Sequence, residues 1–495
     1  MQLSHILILA GLALILRLTP PEIRRWLVFA ASVVCIYWLQ PALPIRSLSF
    51  WLPTATLALT VAGWLLTAHR QDNSGDQNPR QVFQCTDALT GGVLLLLALL
   101  VGLTRYLGSG DWLLATLPPP VGTLFTGLGL LVVFLSGIGL LLRRKSTPGW
   151  ILGFGMVFII FLLLILKTPL LTLEAARGLR QLNGQNPTLA GVLDVRWLGF
   201  SYIAFRLIHT LRDRQTGRLP MTGLRDTITY VIFFPSIAAG PIDRLERFEK
   251  DFCSQTQAKN GADLTISPLS ADLTEAGRRM VIGLLKKFVL ADTLALVALN
   301  PTNALQVRQP GWMWLLLYLY AFQIFFDFSG YTDIAIAIGR VLGVRLPENF
   351  AAPYRKPNLT QFWNSWHMSL TQWFRGYFFN PFVRWLRSRR VRIAPVWVLL
   401  LTQVSTMMLI GLWHGVTANF ILWGLWHGLG LFFQNRWSET TRAWFAARTF
   451  SLFAKRSLNV FSILFTFHYV TLGWVFFLLP TPEIALQVFK RLFHI

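Results

Sequence analysis

The sequence is short of charge, of acid and of cysteine, and each shortage removes a class of protein. Charged residues make up 14% of the 495 positions, against about 25% in ordinary soluble domains. Hydrophobic residues reach 54% and mean hydropathy is +0.51, more apolar surface than water tolerates, so a soluble, disordered or fibrous chain is excluded. The three cysteines, Cys35, Cys85 and Cys253, lie far apart without C-x-x-C spacing. That argues against a disulfide framework, a zinc site and redox chemistry. There is no H-E-x-x-H and no G-x-S-x-G, so a metalloprotease site and a serine elbow have no sequence support. Acids number 22 against 45 Lys and Arg. The basic residues form short clusters between apolar runs, the positive-inside signature of a polytopic membrane protein and not a nucleic-acid-binding face.

The run Leu3 to Leu18 has no Lys or Arg before it and no small-x-small cleavage site after it, and reads as a retained first helix, not a signal peptide. Further spans are expected near 26–42, 50–68, 89–104, 121–142 and 150–166, each close to the length that crosses about 30 Å of hydrocarbon. The loops alternate in charge: Arg24-Arg25, His69-Arg70 through Arg80, and Arg143-Arg144-Lys145 fall on one side. Counting Lys and Arg puts those loops in the cytoplasm and the N-terminus outside. From about residue 195 the apolar stretches shorten and are interrupted by Pro, Gly, Asp, Arg and His: 227–239, 280–299, 311–330, 332–343, 394–412, 418–433 and 459–479. Residues 254–276 read as a polar surface loop, and arginines cluster over 384–392. Broken helices at membrane depth are tolerated only where they line a cavity or are buried in protein, so the active part is expected from about 195 onward.

Three of the eight histidines share an aromatic neighbourhood: His367 in Phe362-Trp363-Asn364-Ser365-Trp366-His367, His414 in Gly411-Leu412-Trp413-His414-Gly415, and His427 in Gly424-Leu425-Trp426-His427-Gly428. The pentapeptide G-L-W-H-G thus occurs twice, 13 residues apart. Its G-x-x-x-G spacing allows close helix approach, which accounts for the glycines and leaves the histidines unexplained. A charged side chain in an apolar span costs about 2.5 to 3.5 kcal/mol, so an ionisable residue there is read first as functional. A neutral imidazole takes a proton from a hydroxyl nucleophile and returns it to a leaving group, which suits acyl transfer. Metal binding is disfavoured, because no carboxylates cluster with these histidines.

A second polar group runs through Phe326-Asp327-Phe328-Ser329-Gly330-Tyr331-Thr332-Asp333. Its two acids are expected to pair with Arg340, Arg345 or other arginines. A helix from Thr360 to Arg375 would place Trp363, Trp366, Leu370 and Trp373 in one stripe, with His367 beside it and Asn364 and Thr371 a turn away.

These runs, with Pro347-Glu348-Asn349-Phe350, His367-Met368-Ser369-Leu370, Trp373-Phe374-Arg375 and Leu412-Trp413-His414-Gly415, resemble the membrane-bound O-acyltransferase (MBOAT) superfamily in order and spacing. Phe234-Pro235 and Gly240-Pro241-Ile242-Asp243-Arg244 are closer to its teichoic acid D-alanylating branch than to its alginate O-acetylating branch, and Gly473-Trp474-Val475-Phe476-Phe477 is similar to the closing motif of both. Gly376 and Leu478 depart from those branches, which usually carry an acid and often an arginine there. The resemblance covers 195–480, with about six spans expected in 1–190 and a tail at 481–495.

The resemblance implies an all-α polytopic bundle of broken and re-entrant helices around a central funnel in the plasma membrane. His414 would be the base at the foot of a tunnel, and His367 its companion. Asn364, Trp413, Trp366, Ser329 and Asp327 are the candidate substrate-binding residues. An acetyl or D-alanyl group would arrive from the cytoplasm as a thioester on an acyl carrier protein or coenzyme A, with no permanently bound cofactor and no metal. It would pass to a hydroxyl of a cell-envelope or secreted glycan, directly or through a second, extracytoplasmic transferase. The rival reading is a conduit that passes an activated acyl group without forming the ester.

Overall fold

The computed structural model describes residues 2–68, 84–107, 114–142, 147–257, 269–389 and 393–494. The basic loops at 69–80 and 143–145, residues 258–268 of the polar loop and positions 390–392 of the arginine cluster lie outside the described residues. Among the described residues the chain is helical, and the one strand-like pairing is an isolated antiparallel bridge between Phe350 and Trp366. Seven helices there are long and apolar enough to cross a membrane: Leu48–Thr67, Cys85–Tyr106, Val121–Leu142, Gly149–Lys167, Pro310–Val341, Pro395–His414 and Leu452–Leu478. The chain is an all-α, multi-pass membrane protein.

Packing divides it into two units, residues 1–277 with 335–346, and 278–334 with 347–495. In the first, Arg24, expected to mark a cytoplasmic loop, donates to the carbonyls of Leu16, Arg17 and Thr19 at the end of helix Leu3–Arg17. A cation there satisfies carbonyls that lack an intrahelical partner. The stretch expected as a span at 227–239 is helix Leu224–Val231 followed by a single 3-10 turn, Phe234–Ser236. Arg206, 1% exposed, bridges this break by donating to the carbonyls of Tyr230 and Val231 and to Ser236 Oγ. Irregular backbone is thereby hydrogen-bonded inside protein, as a low-dielectric surrounding demands.

The second unit carries the motifs. The two spans expected at 311–330 and 332–343 lie in one helix, Pro310–Val341. Ser329-Gly330 does not break it, because Gly330 serves a crossing: a Cβ there would meet the Gly283 carbonyl oxygen and the Lys287 nitrogen, each at 2.8 Å. Ion pairs flank the crossing. Lys287 binds Asp327 at 2.5 Å and Lys286 binds Asp333 at 2.7 Å, with Arg279 at 3.4 Å from Asp333. The acids therefore pair as expected of them, with lysines and Arg279 in place of Arg340 and Arg345. Arg340 and Arg345, themselves in the first unit, pair there with Asp272.

The segment expected as one helix from Thr360 to Arg375 is two, Leu359–Trp363 and Met368–Phe374, followed by a π-helical turn, Arg375–Phe379. Helices Pro395–His414 and Ala418–Ala446 form a hairpin, the second running 13 residues beyond the expected 433. The glycines of the doubled pentapeptide set its spacing. A Cβ on Gly424 would lie 2.6 Å from Met408 Cα, and one on Gly428 2.7 Å from Val404 Cα. A Cβ on Gly411 would strike the Phe420 carbonyl. Small residues let the two backbones touch.

Candidate functional site

The hairpin delivers His414 as the last residue of its first helix, immediately before an extended Gly415. Its ring packs against Trp413 (centroids 4.6 Å apart), Phe477 (4.8 Å), Phe420 and Trp423 (5.8 Å each). His367 is delivered differently. It precedes helix Met368–Phe374 with φ of +43°, a left-handed conformation uncommon outside glycine. Asn349 holds the chain there: its carbonyl accepts from Met368 N at 2.9 Å, and its Oδ1 accepts from Ser369 N at 3.1 Å. Ala351 N donates to Ser365 O at 3.0 Å, on the other side of the Phe350 and Trp366 bridge. The Pro347 to Phe350 motif thus works as a clamp that interrupts the helix. Periodicity alone read through the break because the clamp is supplied from a segment about 20 residues away.

Both imidazoles line one cavity of about 50 Å³, with Ile324, Phe328, Trp363, Trp366, Leu370, Thr371, Ile410, Trp423, Trp474 and Phe477. The indole Nε1 of Trp363 and of Trp423 are buried without a hydrogen-bond partner among the described residues. Leaving a buried donor unsatisfied costs about 1 to 3 kcal/mol, so orphaned groups gathered at one cavity mark a place where a polar guest is received. A second cavity, of about 190 Å³, shares Trp363, Thr371 and Ile410 with the first and adds polar walls: Thr360, Asn364, Arg375, Gln403, Thr406 and Asn435. Arg375 donates to Asn364 Oδ1 at its edge.

Of the residues singled out from sequence, His367, His414 and Trp366 meet in the smaller cavity, and Asn364 lies in the larger. Trp413 contacts both histidine rings, at 4.6 Å from His414 and 6.2 Å from His367. Asp327 and Ser329 are not brought to either wall. Asp327 is half exposed on Lys287, and Ser329 is buried, its hydroxyl without a partner among the described residues. Both belong to the stretch around the Gly330 crossing. His427 is fully buried against Trp363 and Trp423, 5.0 Å from each, outside the cavity lining. Gly473 makes room for it, since a Cβ there would collide with its Nε2.

Sequence reasoning gave a site role to three of the twelve wall residues, His367, His414 and Trp366. Trp474 and Phe477 sit in the closing motif, and their spacing of three places both on one helical face, a signal that was present but unused. Trp423, which precedes the second pentapeptide, had no such signal. Asn349 was quoted as motif without a role. Removing its side-chain cap by Asn349→Ala is expected to destabilise the local structure by about 1 kcal/mol and to lower turnover at least tenfold while substrate KM changes less. Unchanged turnover would show that His367 holds its place without the clamp.

Residues 146–480 match the family model for MBOAT, the membrane-bound O-acyltransferase family. The chain is 32% identical over 256 residues to a teichoic acid D-alanyltransferase of Streptococcus thermophilus, covering 51% of this chain and 60% of that protein. It is 34% identical over 297 residues to a probable alginate O-acetylase of Pseudomonas syringae, 60% of this chain and 51% of the relative. It is 31% identical over 283 residues to a peptidoglycan O-acetyltransferase of Helicobacter pylori, 57% and 49% respectively. The match spans from about half to three fifths of these relatives' length. With the family model covering well over half its length and both motif histidines in one cavity, the chain belongs to the membrane-bound O-acyltransferase family.

Proposed function

We propose that the protein is an O-acyltransferase that moves a short acyl group from a cytoplasmic thioester to a hydroxyl of a cell-envelope or secreted glycan. The observation that carries this reading is the convergence of His367 and His414, which lie 47 positions apart in sequence, on one narrow, aromatic-walled cavity. The relatives named for D-alanyl and O-acetyl transfer to wall and secreted polymers support the substrate class.

In this reading His414 accepts the proton of the acceptor hydroxyl as its oxygen attacks the thioester carbonyl. The tetrahedral centre collapses with loss of the thiolate, which takes the proton back from the imidazolium. The indole N–H groups of Trp363 and Trp423, without a partner among the described residues, are neutral donors on wall residues that could serve the oxygen that becomes negative. His367 faces the same space and completes the donor and acceptor set. The larger polar cavity suits the amide-rich arm of a carrier protein or of coenzyme A, because it adjoins the reaction cavity at Trp363, Thr371 and Ile410. Alignment of two reactants in a space this small supplies much of the rate.

The test encloses radiolabelled acetyl-coenzyme A, or a labelled acyl carrier protein, in liposomes containing the protein. Alginate, peptidoglycan fragments and teichoic acid are supplied outside. Labelled ester on an outside polymer is the expected result. Label that crosses without becoming esterified would replace this reading with the conduit.

A further inference from the structure

We infer that the protein holds an anionic phospholipid of the cytoplasmic leaflet in a groove between helices Ala418–Ala446 and Leu452–Leu478, away from the histidine cavities. The helices are pinned together at Gly430 and Tyr469, where a Cβ on the glycine would strike the phenol oxygen. Tyr469 also donates to the Trp426 carbonyl at 2.6 Å, and the Trp426 indole donates to the Tyr469 carbonyl at 3.1 Å. Beyond that pin, residues as far as Phe445 on the first helix and back to Phe461 on the second line a cavity of about 800 Å³.

The walls indicate what fills it. Phe433, Trp437, Phe461 and Phe465 are each 64 to 67% exposed, beside a helix long and apolar enough to cross a membrane. Of the polar wall residues, Gln434 Oε1 accepts from Thr360 Oγ1 at 2.8 Å and Thr441 Oγ1 donates to the Trp437 carbonyl at 2.7 Å. Rings in hydrocarbon offer water too few partners, whereas lipid tails are as apolar as the rings.

One end of the groove is charged, and with one sign. Arg442 is exposed on the wall, no acid pairs with it among the described residues, and no wall residue is acidic. The one acid between Arg436 and Arg456 is Glu439, which binds Arg436. With Arg448, Lys455 and Arg456 following, the basic excess places the link between the helices in the cytoplasm. Ser438, four residues before Arg442, shares its helix face and lines the groove with it. A guanidinium grips phosphate through two parallel hydrogen bonds, and a basic pocket between membrane helices on the cytoplasmic side suits an anionic headgroup. Depth agrees with this placement. At about 1.5 Å per residue, Arg442 stands about 18 Å along its helix from Gly430. One leaflet's hydrocarbon is about 15 Å deep, so a phosphate on Arg442 lets its acyl chains run along the rings to the pin. A free phosphate would satisfy the charge and leave the rings bare, and an apolar membrane helix would cover the rings and leave Arg442 unpaired.

The experiment takes the full chain in detergent and measures bound lipid by native mass spectrometry. The probes are phosphatidylglycerol, phosphatidylcholine with the same chains, and glycerol 3-phosphate as the headgroup alone. Expected is phosphatidylglycerol held at least tenfold more tightly than either of the others. Arg442→Gln is expected to bring the preference over phosphatidylcholine below threefold, and Arg442→Lys to keep most of it. Ser462→Trp, which fills the groove and leaves its charge, is expected to weaken phosphatidylglycerol at least fivefold, with unchanged melting of the lipid-free protein showing that the fold is kept. Arg384→Gln, on another basic helix, controls for net charge and should leave binding as it is. Equal retention of the two lipids would make the groove ordinary lipid boundary, and glycerol 3-phosphate held as tightly would make it a phosphate site. A preference lost in Arg384→Gln and kept in Arg442→Gln would place the lipid elsewhere, and dimers that exclude lipid would give the groove to a second copy. Each of these four results overturns the inference, and none bears on ester formation, so the proposed function stands or falls separately.

Discussion

Replacing His414 by alanine is expected to lower kcat for ester formation by about 100- to 10,000-fold, the range over which a positioned general base contributes. The ring forms part of the cavity wall and packs against the rings of Trp413, Phe420, Trp423 and Phe477. Removing it trims a reactive group while the hairpin that carries it stays intact, because the hairpin is held by backbone approach at glycines. Thermal unfolding in detergent should therefore shift little while the initial rate collapses. His367→Ala gives a companion measurement, with a smaller loss expected if His367 orients the acceptor and His414 takes its proton. A His414→Ala protein that retains ester formation within a few-fold of the native rate would move the base to another residue, with His367 the first to test.

Gly424→Leu is expected to have a large structural effect on the hairpin. Even a methyl there would meet Met408 Cα at 2.6 Å and the Met407 carbonyl oxygen at 2.8 Å, all backbone atoms that cannot rotate away. Overpacking of a close contact costs about 1 to 3 kcal/mol and more when backbones must separate. Separating these helices also moves His414, at the end of one, relative to Trp423 on the other. Loss of stability and loss of activity should then appear together, in contrast to His414→Ala. Gly92→Ala is the internal control, since nothing lies within 4 Å of a Cβ built there. Equal melting temperatures for the two variants would mean that the hairpin tolerates a wider spacing than its glycines indicate.

Much of the architecture was legible in advance because it follows from composition and length. The spans at 50–68, 121–142 and 150–166 are helices Leu48–Thr67, Val121–Leu142 and Gly149–Lys167. Such segments must hydrogen-bond internally in lipid whatever surrounds them, so a local reading suffices. The doubled pentapeptide was legible in part. Its glycines signalled close packing and its histidines signalled chemistry, yet identical wording concealed different fates. His414 reaches the cavity, while His427 is buried against Trp363 and Trp423 with no partner among the described residues.

The breaks were less legible, and for one reason. A glycine after a serine in an aromatic helix is equally a hinge or a contact, and Gly330 is a contact because Gly283 and Lys287 lie against it. A stripe of tryptophans at helical spacing predicts a helix, and His367 interrupts that helix because Asn349 captures the two amides that follow it. The sequence by itself determined a helical membrane protein, the motif histidines and the family they belong to, since each depends on residue type and local spacing. Only the tertiary structure decided which histidine faces the reaction space, that Asp327 pairs with Lys287 instead of lining it, and that Trp423, Trp474 and Phe477 close it. Those outcomes depend on segments that are distant along the chain meeting within a few ångströms, and local spacing carries no record of which segments meet.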